Sequence, residues 1–533
     1  MSVLPSRLNP HSPAFAENRA ANLALAEKLH KKLEESRFQG QEKYIERAKA
    51  AGKLLARERI ELLLDPDTPF LELLPLAGIE RKGNTAVGGT LIGGIGVVSG
   101  VLCLVTANVA TIKGGAIDYI TLQKGFRLNE IAWENELPVV NLVESAGANL
   151  PEQAQIFNQG GRNFRDITRR SAKGLPTISV VMGNSTAGGA YVPGMSDYTI
   201  FVKDQAKVFL AGPPLVYMAT REVVDDETLG GAEMHSRISG ISDYLAEDEH
   251  DAIRIAREVL HSIRHTFPLR PSPEGFSEPL HSIADLPGII PADLRQPFDA
   301  REVIARIADG SDFHEFKPEY GATLVCGYAR IHGYPVGILA NNGVLFSESA
   351  QKGTQFIQLC NRSRTPLIFL QNITGFMVGK QYEQEGIIKY GAQLINAVSN
   401  SQVPAITLMM GASFGAGNYA MMGRAYNPRF LFSWPNSRIA VMGPEQLAGV
   451  MGIIQREAAE KSGKVFDEQQ AAQMQQFLQM QVEQESNAFY ASGQLWDDGI
   501  IDPRETRNVL GFTLAVVNNQ PIEGTESYGV FRM

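Results

Sequence analysis

Blocks of apolar residues alternate with blocks of mixed charge along this chain. Residues 16–64 are rich in Ala, Glu, Lys, Arg and Leu at helical spacing, and Asp65-Pro66 ends that pattern. Residues 88–110 are dense in Gly and Val, which predicts paired strands joined by a glycine turn. From residue 117 onward, apolar strands alternate with helices, an order typical of α/β domains. The pattern therefore predicts an α/β protein.

The strand and helix order occurs twice. The first series predicts a helix over 117–136, a strand at LPVVNLVES, a helix at FRDITRRSAKG, a strand at LPTISVVMG and a helix over 249–265. The second series begins near residue 298 with LVCGYARIHGYPVGILAN, then a helix over 350–363, a strand at TPLIFLQN, a helix near 385–400 and a strand at VPAITLMMG. Seven prolines between 268 and 297 predict a long linker between the series. The tail SGQLWDDGIIDPRETRNVLG is polar, which predicts a surface helix.

Glycine-rich blocks mark the same internal repeat. Residues 183–191 (GNSTAGGAY) resemble residues 411–419 (GASFGAGNY). The interval from Gly147 to Gly188 and the interval from Gly375 to Ala416 are both 41 residues. A repeat this long indicates two copies of one domain rather than a short-period solenoid. We expect an N-terminal domain over 1–285 and a C-terminal domain over 286–533.

Composition narrows the class of protein. A chain of 533 residues is too long to fold around one hydrophobic core and suits two large domains. Its fractions of hydrophobic residues (44%) and charged residues (20%) are ordinary for a globular enzyme. The formal net charge of −9 argues against nucleic acid as a partner. Cys103, Cys326 and Cys360 are isolated in apolar runs, which favours buried, reduced thiols over a disulfide or a metal site.

The N-terminal segment and the lengths of the apolar runs indicate the cellular location. The N-terminus has no apolar signal segment, and the longest apolar runs are too short to cross a membrane. No transit peptide is visible either, which disfavours the mitochondrial matrix. We expect a cytoplasmic, bacterial-type protein without a membrane partner.

Each glycine block follows an apolar strand and precedes a predicted helix. Backbone N–H groups at such a turn point one way and favour an anion. Gly188 and Gly189 fit this role in the first copy, and Ala416 and Gly417 in the second. Small side chains leave room for an oxygen, so the turns suit a thioester enolate or a similar oxyanion. The alternative, tight packing of helix against sheet, has equal weight for either block alone, and the matched spacing favours function.

Three other motifs do not indicate a catalytic or cofactor-binding site. GIGVV lacks the full G-x-G-x-x-G pattern of dinucleotide-binding turns. Ser185 does not lie in a G-x-S-x-G elbow, and His235 fits a structural histidine better than an acid or base. We therefore expect catalysis without a protein nucleophile.

Several runs together resemble the carboxyltransferase (β) subunits of biotin-dependent acyl-CoA carboxylases. The resemblance covers nearly the whole chain and rests on GKLLARERIELLLDPDTPF (52–70), STAGGAYVPGMSD (185–197), FLAGPPLV (209–216), LGGAEMHSRISG (229–240), ILANNGVLF (338–346), QNITGFMVG (371–379) and SFGAGNYAMMGRAY (413–426). The NITGFMVG run is similar to the methylcrotonyl-CoA and geranyl-CoA branch rather than the propionyl-CoA branch.

The resemblance implies two tandem crotonase-like domains of the ClpP/crotonase superfamily. It implies acyl-CoA bound by the N-domain, biotin bound by the C-domain of a neighbouring subunit, and dimers within a β6 hexamer. Gly188 and Gly189 would hold the thioester enolate, and Ala416 and Gly417 the ureido oxygen of biotin. The chain has no A-M-K-M biotin attachment site and no P-loop, so biotin and the ATP-dependent step should belong to a separate α subunit.

Departures from the family pattern concern the substrate. Gly160-Gly161-Arg162 stands where methylcrotonyl-type enzymes have an aromatic residue before Gly-Arg, and loss of a ring would deepen an acyl pocket. This favours geranyl-CoA over 3-methylcrotonyl-CoA, unless Gly160 only accommodates the local backbone. Tyr217 and Arg221 replace the usual Lys and Gly. We expect substrate contacts from Gly147, Gly160, Gly161, Tyr191, Gly375, Phe376 and Phe414.

Other functions remain open at this point. The fold also suits a propionyl- or acetyl-CoA-type carboxyltransferase, or the decarboxylase subunit of a sodium pump. A non-catalytic scaffold for α subunits is a third hypothesis, against which both glycine turns argue.

Overall fold

The computed structural model describes residues 2–83, 86–273, 275–463 and 467–533. The strands are Ser2–Val3 (β1), Leu71–Glu72 (β2), Leu91–Val98 (β3), Val101–Asn108 (β4), Val139–Ser145 (β5), Thr177–Thr186 (β6), Tyr198–Val202 (β7), Lys207–Phe209 (β8), Tyr244–Ala246 (β9), Asp312–Phe316 (β10), Leu324–Ile331 (β11), Tyr334–Asn341 (β12), Leu367–Ile373 (β13), Ala405–Phe414 (β14), Phe430–Ser433 (β15) and Arg438–Ala440 (β16).

The helices lie between these strands in both halves of the chain. They are Pro13–Ser36 (α1), Glu42–Ala50 (α2), Ala56–Leu63 (α3), Tyr119–Glu134 (α4), Gln153–Ala172 (α5), Tyr191–Gly194 (α6), Pro213–Thr220 (α7), Asp226–Gly230 (α8), Ala232–Met234 (α9), Glu249–Ile263 (α10), Leu286–Ile289 (α11), Ala300–Ile307 (α12), Ser347–Arg362 (α13), Lys380–Gln384 (α14), Ile387–Asn400 (α15), Ala416–Ala420 (α16), Pro444–Lys461 (α17), Glu468–Ser486 (α18), Ala488–Gly493 (α19) and Thr506–Asn518 (α20). In the described part of the chain no helix has both the length and the apolar character needed to span a membrane.

The chain forms two compact units. The first unit comprises residues 32–270, and the second comprises residues up to 31 together with residues from 271 onward. The first 31 residues and residues 271–285 thus lie with the second unit, although the division expected from the sequence placed them in the N-terminal domain.

The first unit is built on a sheet with the strand order β2-β3-β4-β5-β6-β7-β9, and β8 pairs with the end of β6. β3 and β4 form the expected antiparallel hairpin, whereas β4 to β7 are parallel. Parallel strands need crossover connections, and α4 and α5 supply two of them. The apolar strand residues are therefore covered on the helix side, and Val140, Ile178 and Ile200 belong to one buried cluster.

The second unit repeats this plan. Its sheet has the order β1-β10-β11-β12-β13-β14-β15, and β16 pairs with the end of β14. β11 and β12 form the hairpin, and β12 to β15 are parallel. α13 and α15 are the crossover helices, and Phe356, Phe369 and Leu394 lie in its core cluster.

Two irregular segments are more closely packed than their sequence suggested. The proline-rich linker contains α11, whose residues Leu286 to Ile289 are all buried, so this part of it is packed rather than extended. The tail is not a surface helix either, because Asp497 and Asp498 are fully buried and Leu510 and Leu514 of α20 lie in the core. Asp498 binds the backbone of β15 as Asp243 binds that of β7, which makes the tail the counterpart of residues 240–263.

Candidate functional site: two backbone cradles

The first predicted turn lies at the carboxyl end of β6. Ala187 has φ 53°, a left-handed conformation that turns the chain from the strand into the short 3-10 helix Ala187–Ala190. Ser185 fixes this turn by donating its hydroxyl to the carbonyl of Gly189 at 3.0 Å. We call residues 187–189 the first cradle.

Packing does not explain why Gly188 and Gly189 lack side chains. A Cβ added at Gly188 would lie 3.6 Å from Phe164 Cζ, and one at Gly189 would lie 3.7 Å from Ser185 Oγ, both ordinary contacts. Gly188 is exposed, and its N–H lies in the first helical turn, where no intrahelical acceptor exists. The open space and the Gly188 N–H without an intrahelical acceptor suit a ligand oxygen.

The second cradle, residues 415–417, occupies the same position after β14. Gly415 has φ 58° and ψ −150°, a region essentially restricted to glycine, and its N–H donates to the carbonyl of Ala440 at 3.0 Å. Ala416 is exposed at the start of α16. Gly417 differs, because a Cβ there would lie 2.5 Å from Ile373 Cγ1. Packing alone therefore requires glycine at 417, while Ala416 keeps the open position.

The helices after the cradles are shorter than the sequence indicated. α6 has four residues and α16 has five. A helix macrodipole needs aligned turns, so it contributes little here. The attraction for an anion comes instead from the local N–H groups themselves.

A pocket of about 660 Å³ opens beside the second cradle. Ala416, Arg424, Tyr490 and Trp496 are among its lining residues. Its aromatic walls and single guanidinium suit a compact ring with a polar edge. The cradle is thus not filled by side chains of its own unit.

The same strand irregularity precedes both cradles. In the first unit Val143 pairs with Val181 and Ser145 with Ser185, so β6 carries two more residues than β5 across this step. In the second unit Gln371 pairs with Met409 and Ile373 with Ser413. The bulges are Met182–Asn184 and Met410–Ala412, and each re-aims the strand end just before its cradle.

The two upstream turns lie against the cradles. Gly147 has φ 86°, and a Cβ there would lie 3.0 Å from the Thr186 carbonyl, so both conformation and space favour glycine. Its own carbonyl accepts from Ile117 N at 2.8 Å. Gly375 has φ 140°, and its carbonyl accepts from Leu345 N at 3.1 Å. The predicted equivalence of these turns therefore extends to their hydrogen bonds.

Gly160 and Gly161 lie in the middle of α5, and a Cβ at either would meet no atom within 4 Å. One helical turn after Gly160, Phe164 contacts Tyr191 edge to face at 5.7 Å between ring centroids. Tyr191 and Gly188 thus both lie against Phe164, which the sequence analysis did not name, and Gly160 lies one turn before it on the same helix. Its spacing of four from Gly160 was the available signal.

The remaining predicted contact residues are less open. Phe376 packs on α15, its ring lying 3.2 Å from a Cβ at Gly391. Phe414 is half-buried in β14 and pairs with Ala440 of β16. Both support the backbone around the second cradle.

His235 and the cysteines take structural places. His235 is buried, with Nε2 2.7 Å from the Val208 carbonyl and Nδ1 2.6 Å from Ser239 Oγ. Since a carbonyl only accepts, Nε2 carries the proton and neither nitrogen is available for acid or base work. All three cysteines are free and buried, and burial raises the pKa of each thiol. No cluster of metal ligands occurs within the described ranges.

Several polar residues near the cradles escaped the sequence analysis. Lys53 and Asn436 bind the bulges, and Glu144 pairs with Lys53. Asp497 is buried and follows Trp496, which lines the pocket beside the second cradle. Lys53 was visible only as part of the GKLLARERI run. Tyr217 on α7 and Arg221 directly after it form a pair, because the Arg221 guanidinium lies 5.6 Å from the Tyr217 ring centroid. Arg221 has φ 63°, which explains why glycine suits that position.

Comparison with known proteins shows the family of the chain. The carboxyl transferase domain model matches residues 47–528. A probable biotin-dependent acyl-coenzyme A carboxylase β2 subunit from Mycobacterium tuberculosis is 56% identical over 532 residues and is covered completely, as is this chain. A biotin-dependent 3-methylcrotonyl-coenzyme A carboxylase β1 subunit from the same organism is 47% identical, with 98% of each chain covered.

A solved structure supports the same assignment. The β subunit of geranyl-CoA carboxylase from P. aeruginosa is 44% identical, covers 99% of both chains and has a TM-score of 0.88. The two-domain, crotonase-like α/β fold expected from the sequence is confirmed. The chain belongs to the carboxyl transferase family, as a β subunit of the biotin-dependent acyl-CoA carboxylases.

Proposed function

We propose that this protein transfers CO2 from carboxybiotin to the γ-carbon of a branched α,β-unsaturated acyl-CoA, with geranyl-CoA favoured over 3-methylcrotonyl-CoA. The observation that carries the proposal is the pair of open cradles, since carboxyl transfer develops negative charge on two oxygens. The N–H groups of Gly188 and Gly189 would hold the thioester oxygen of the enolate. Those of Ala416 and Gly417 would hold the second oxygen.

The pocket beside the second cradle is large enough for biotin. Its volume of about 660 Å³ exceeds the need of a bicyclic ureido ring, and Tyr490 and Trp496 offer apolar walls. Biotin, when bound, supplies the CO2 and afterwards a base for the γ-proton. The described residues around Gly188 include no histidine free for that role, since both nitrogens of His235 are engaged. This chain therefore contributes orientation and oxyanion binding.

The preference for a long acyl chain rests on α5. Gly160 leaves open space one turn before Phe164, whose ring contacts Tyr191. An aromatic side chain at 160 would occupy that space and would shorten an acyl-binding site formed there. The Phe164–Tyr191 pair would then contact the acyl chain close to the thioester.

The test is a panel of acyl-CoA thioesters of graded length, assayed with the purified complex of this chain and a biotinylated α subunit. We expect carboxylation of geranyl-CoA, dependent on the α subunit and ATP. Much faster turnover of 3-methylcrotonyl-CoA would overturn the chain-length preference. Loss of CO2 from a dicarboxylic acyl-CoA without ATP would instead support the decarboxylase hypothesis.

We further propose a biotin-carrying α subunit as partner, self-association into dimers within a β6 core, and a bacterial cytoplasmic location. Self-association is supported by α7, which has no buried residue. Its apolar side chains Leu215 and Met218 are 53% and 72% exposed. Ile453 on α17 is 62% exposed. Exposed apolar helix faces of this kind favour burial against another chain. Light scattering of the purified protein tests the assembly, and a monomer would contradict it.

A further inference from the structure

Each bulge before a cradle exposes a backbone carbonyl that has left the strand ladder. In the first unit the Met182 carbonyl accepts from Lys53 Nζ at 3.1 Å. In the second unit the equivalent Met410 carbonyl accepts from Asn436 Nδ2 at 2.9 Å. Both donors come from outside the strand, and both hold the bulge at the same residue. An ammonium therefore does in one unit what a neutral amide does in the other.

Lys53 also binds the neighbouring strand. Its ammonium contacts Glu144 Oε1 at the end of β5. The Glu144 carboxylate lies over Gly183, where an added Cβ would be 2.5 Å from Oε1. Lys53 thus joins the ends of β5 and β6 at the bulge, and the first cradle begins four residues after Gly183.

The charges around Lys53 balance. Arg59 is 2% exposed and donates to Glu144 Oε2 at 2.8 Å and to Glu249 Oε1 at 2.7 Å. Two cations thus face two carboxylates in a largely buried network. Balanced, hydrogen-bonded charges of this kind hold a fixed geometry, since any displacement leaves a charge unpaired.

The second unit achieves the same closure without charge. Asn372 stands where Glu144 does, and its Oδ1 accepts from Ala412 N at 3.1 Å. A Cβ at Gly411 would lie 2.4 Å from that oxygen. The glycine of each bulge is therefore required by the side chain that crosses it.

We infer that Lys53 is a positioning residue for the first cradle: through the Met182 carbonyl and Glu144 it sets the bulge that aims the N–H groups of Gly188 and Gly189. The inference rests on the proposed function for its kinetic consequence, but its structural part does not. The ammonium of Lys53 is engaged by Met182 and Glu144, so we expect it to act on kcat through backbone placement.

The test compares Lys53→Met with Asn436→Leu, each of which removes the donor to a bulge carbonyl. Amide hydrogen exchange is followed by mass spectrometry on peptides covering 177–191 and 405–419, in the assembled protein. We expect Lys53→Met to speed exchange about tenfold in the first peptide only, and Asn436→Leu in the second only. Lys49→Met, an exposed lysine on α2, is the matched control and should change neither.

Kinetics separate positioning from general destabilisation. Because a displaced cradle weakens only transition-state binding, Lys53→Met should lower kcat by about 10- to 100-fold, with KM for the acyl-CoA nearly unchanged. Lys53→Gln restores a neutral donor like Asn436 and should recover part of kcat, and it replaces Lys53→Met if that variant does not fold.

Equal exchange of the first peptide in Lys53→Met and wild type would overturn the inference. So would faster exchange throughout the first unit without local enhancement. If the wild-type complex carboxylates no acyl-CoA, the proposed function fails, while the exchange comparison still decides the role of Lys53.

Discussion

The two units share the strand bulge that precedes each cradle and differ in the side chains that hold this bulge. In the first unit Lys53 binds the bulge and Glu144 lies over its glycine, whereas in the second unit Asn436 and Asn372 both bind the bulge. Asn108 and Asn341 accept from the backbone N–H of Glu144 and Asn372, in each case at 3.2 Å. Backbone geometry is thus the shared property of the repeat, whereas the supporting chemistry has diverged. This is the expected result when N–H groups, rather than side chains, contact the ligand.

The largest predicted effect comes from closing either cradle. Gly188→Val and Ala416→Val place a branched side chain where an oxygen should approach the N–H groups. We expect each to reduce kcat for carboxyl transfer by about 10²–10³-fold, the usual cost of losing an oxyanion donor. Steady-state assays of the α–β complex measure this, with size-exclusion chromatography to check assembly. Unchanged turnover in an assembled variant would support the scaffold hypothesis.

A smaller effect is expected from methyl groups on the bulge glycines. Gly183→Ala places Cβ within 2.6 Å of three Glu144 atoms, whereas at Gly411 only Oδ1 of Asn372 comes as close, at 2.4 Å. Overpacking of this kind costs about 1–3 kcal/mol. We expect Gly183→Ala to lower the thermal midpoint more than Gly411→Ala, because the ion network holds Glu144 in place. The reverse order in scanning calorimetry would show that the charged support yields more easily.

The two units also differ at one buried position near the second cradle, and this difference predicts a pH dependence of stability. Asp497 occupies the position of Ser242 in the first unit, and Asp498 that of Asp243, since Asp498 binds Leu431 of β15 as Asp243 binds Thr199 of β7. Burial raises the pKa of Asp497 to about 6, although Ser433, Ser492 and Arg424 favour its ionised form and only Asp498 acts with burial. Ser242 is satisfied by the Tyr244 carbonyl at 3.0 Å.

The sign of the effect follows from proton binding. Between the ordinary aspartate pKa and about 6, the folded protein binds the Asp497 proton more tightly than the unfolded chain does. Stability therefore falls as pH rises through that range, by about 3 kcal/mol at most. Asp497→Asn should raise the thermal midpoint at pH 8 and have little effect at pH 4. Equal shifts at both pH values would contradict an ionising Asp497.

The smallest expected effect is a change in the preference between two acyl-CoA substrates. Gly160→Phe should fill the open space beside Phe164 and lower kcat/KM for geranyl-CoA relative to 3-methylcrotonyl-CoA by about tenfold, the equivalent of about 1.4 kcal/mol. Competition assays with both thioesters measure the ratio. The second cradle should be unaffected, so the KM for a free biotin derivative serves as control. An unchanged ratio would show that Gly160 only accommodates the backbone.

The sequence alone determined the repeat, the alternation of strands and helices and the position of both cradles. These features are local, because hydrophobic period and glycine spacing are written along the chain. The tail was misjudged for the opposite reason. Asp497 and Asp498 are charged residues that suggest a surface, and only pairing with β15 and Arg424 makes their burial possible.

Tertiary structure decided which cradle positions have free space beside them and which side chains support the bulges. Gly188 and Gly417 look alike in sequence, yet a Cβ meets only Phe164 at 3.6 Å at the former and Ile373 at 2.5 Å at the latter. Lys53 and Glu144 are 91 residues apart, so no local pattern could have paired them. Backbone conformation depends on near neighbours, whereas free space and ion pairing depend on which distant segments the folded chain brings together.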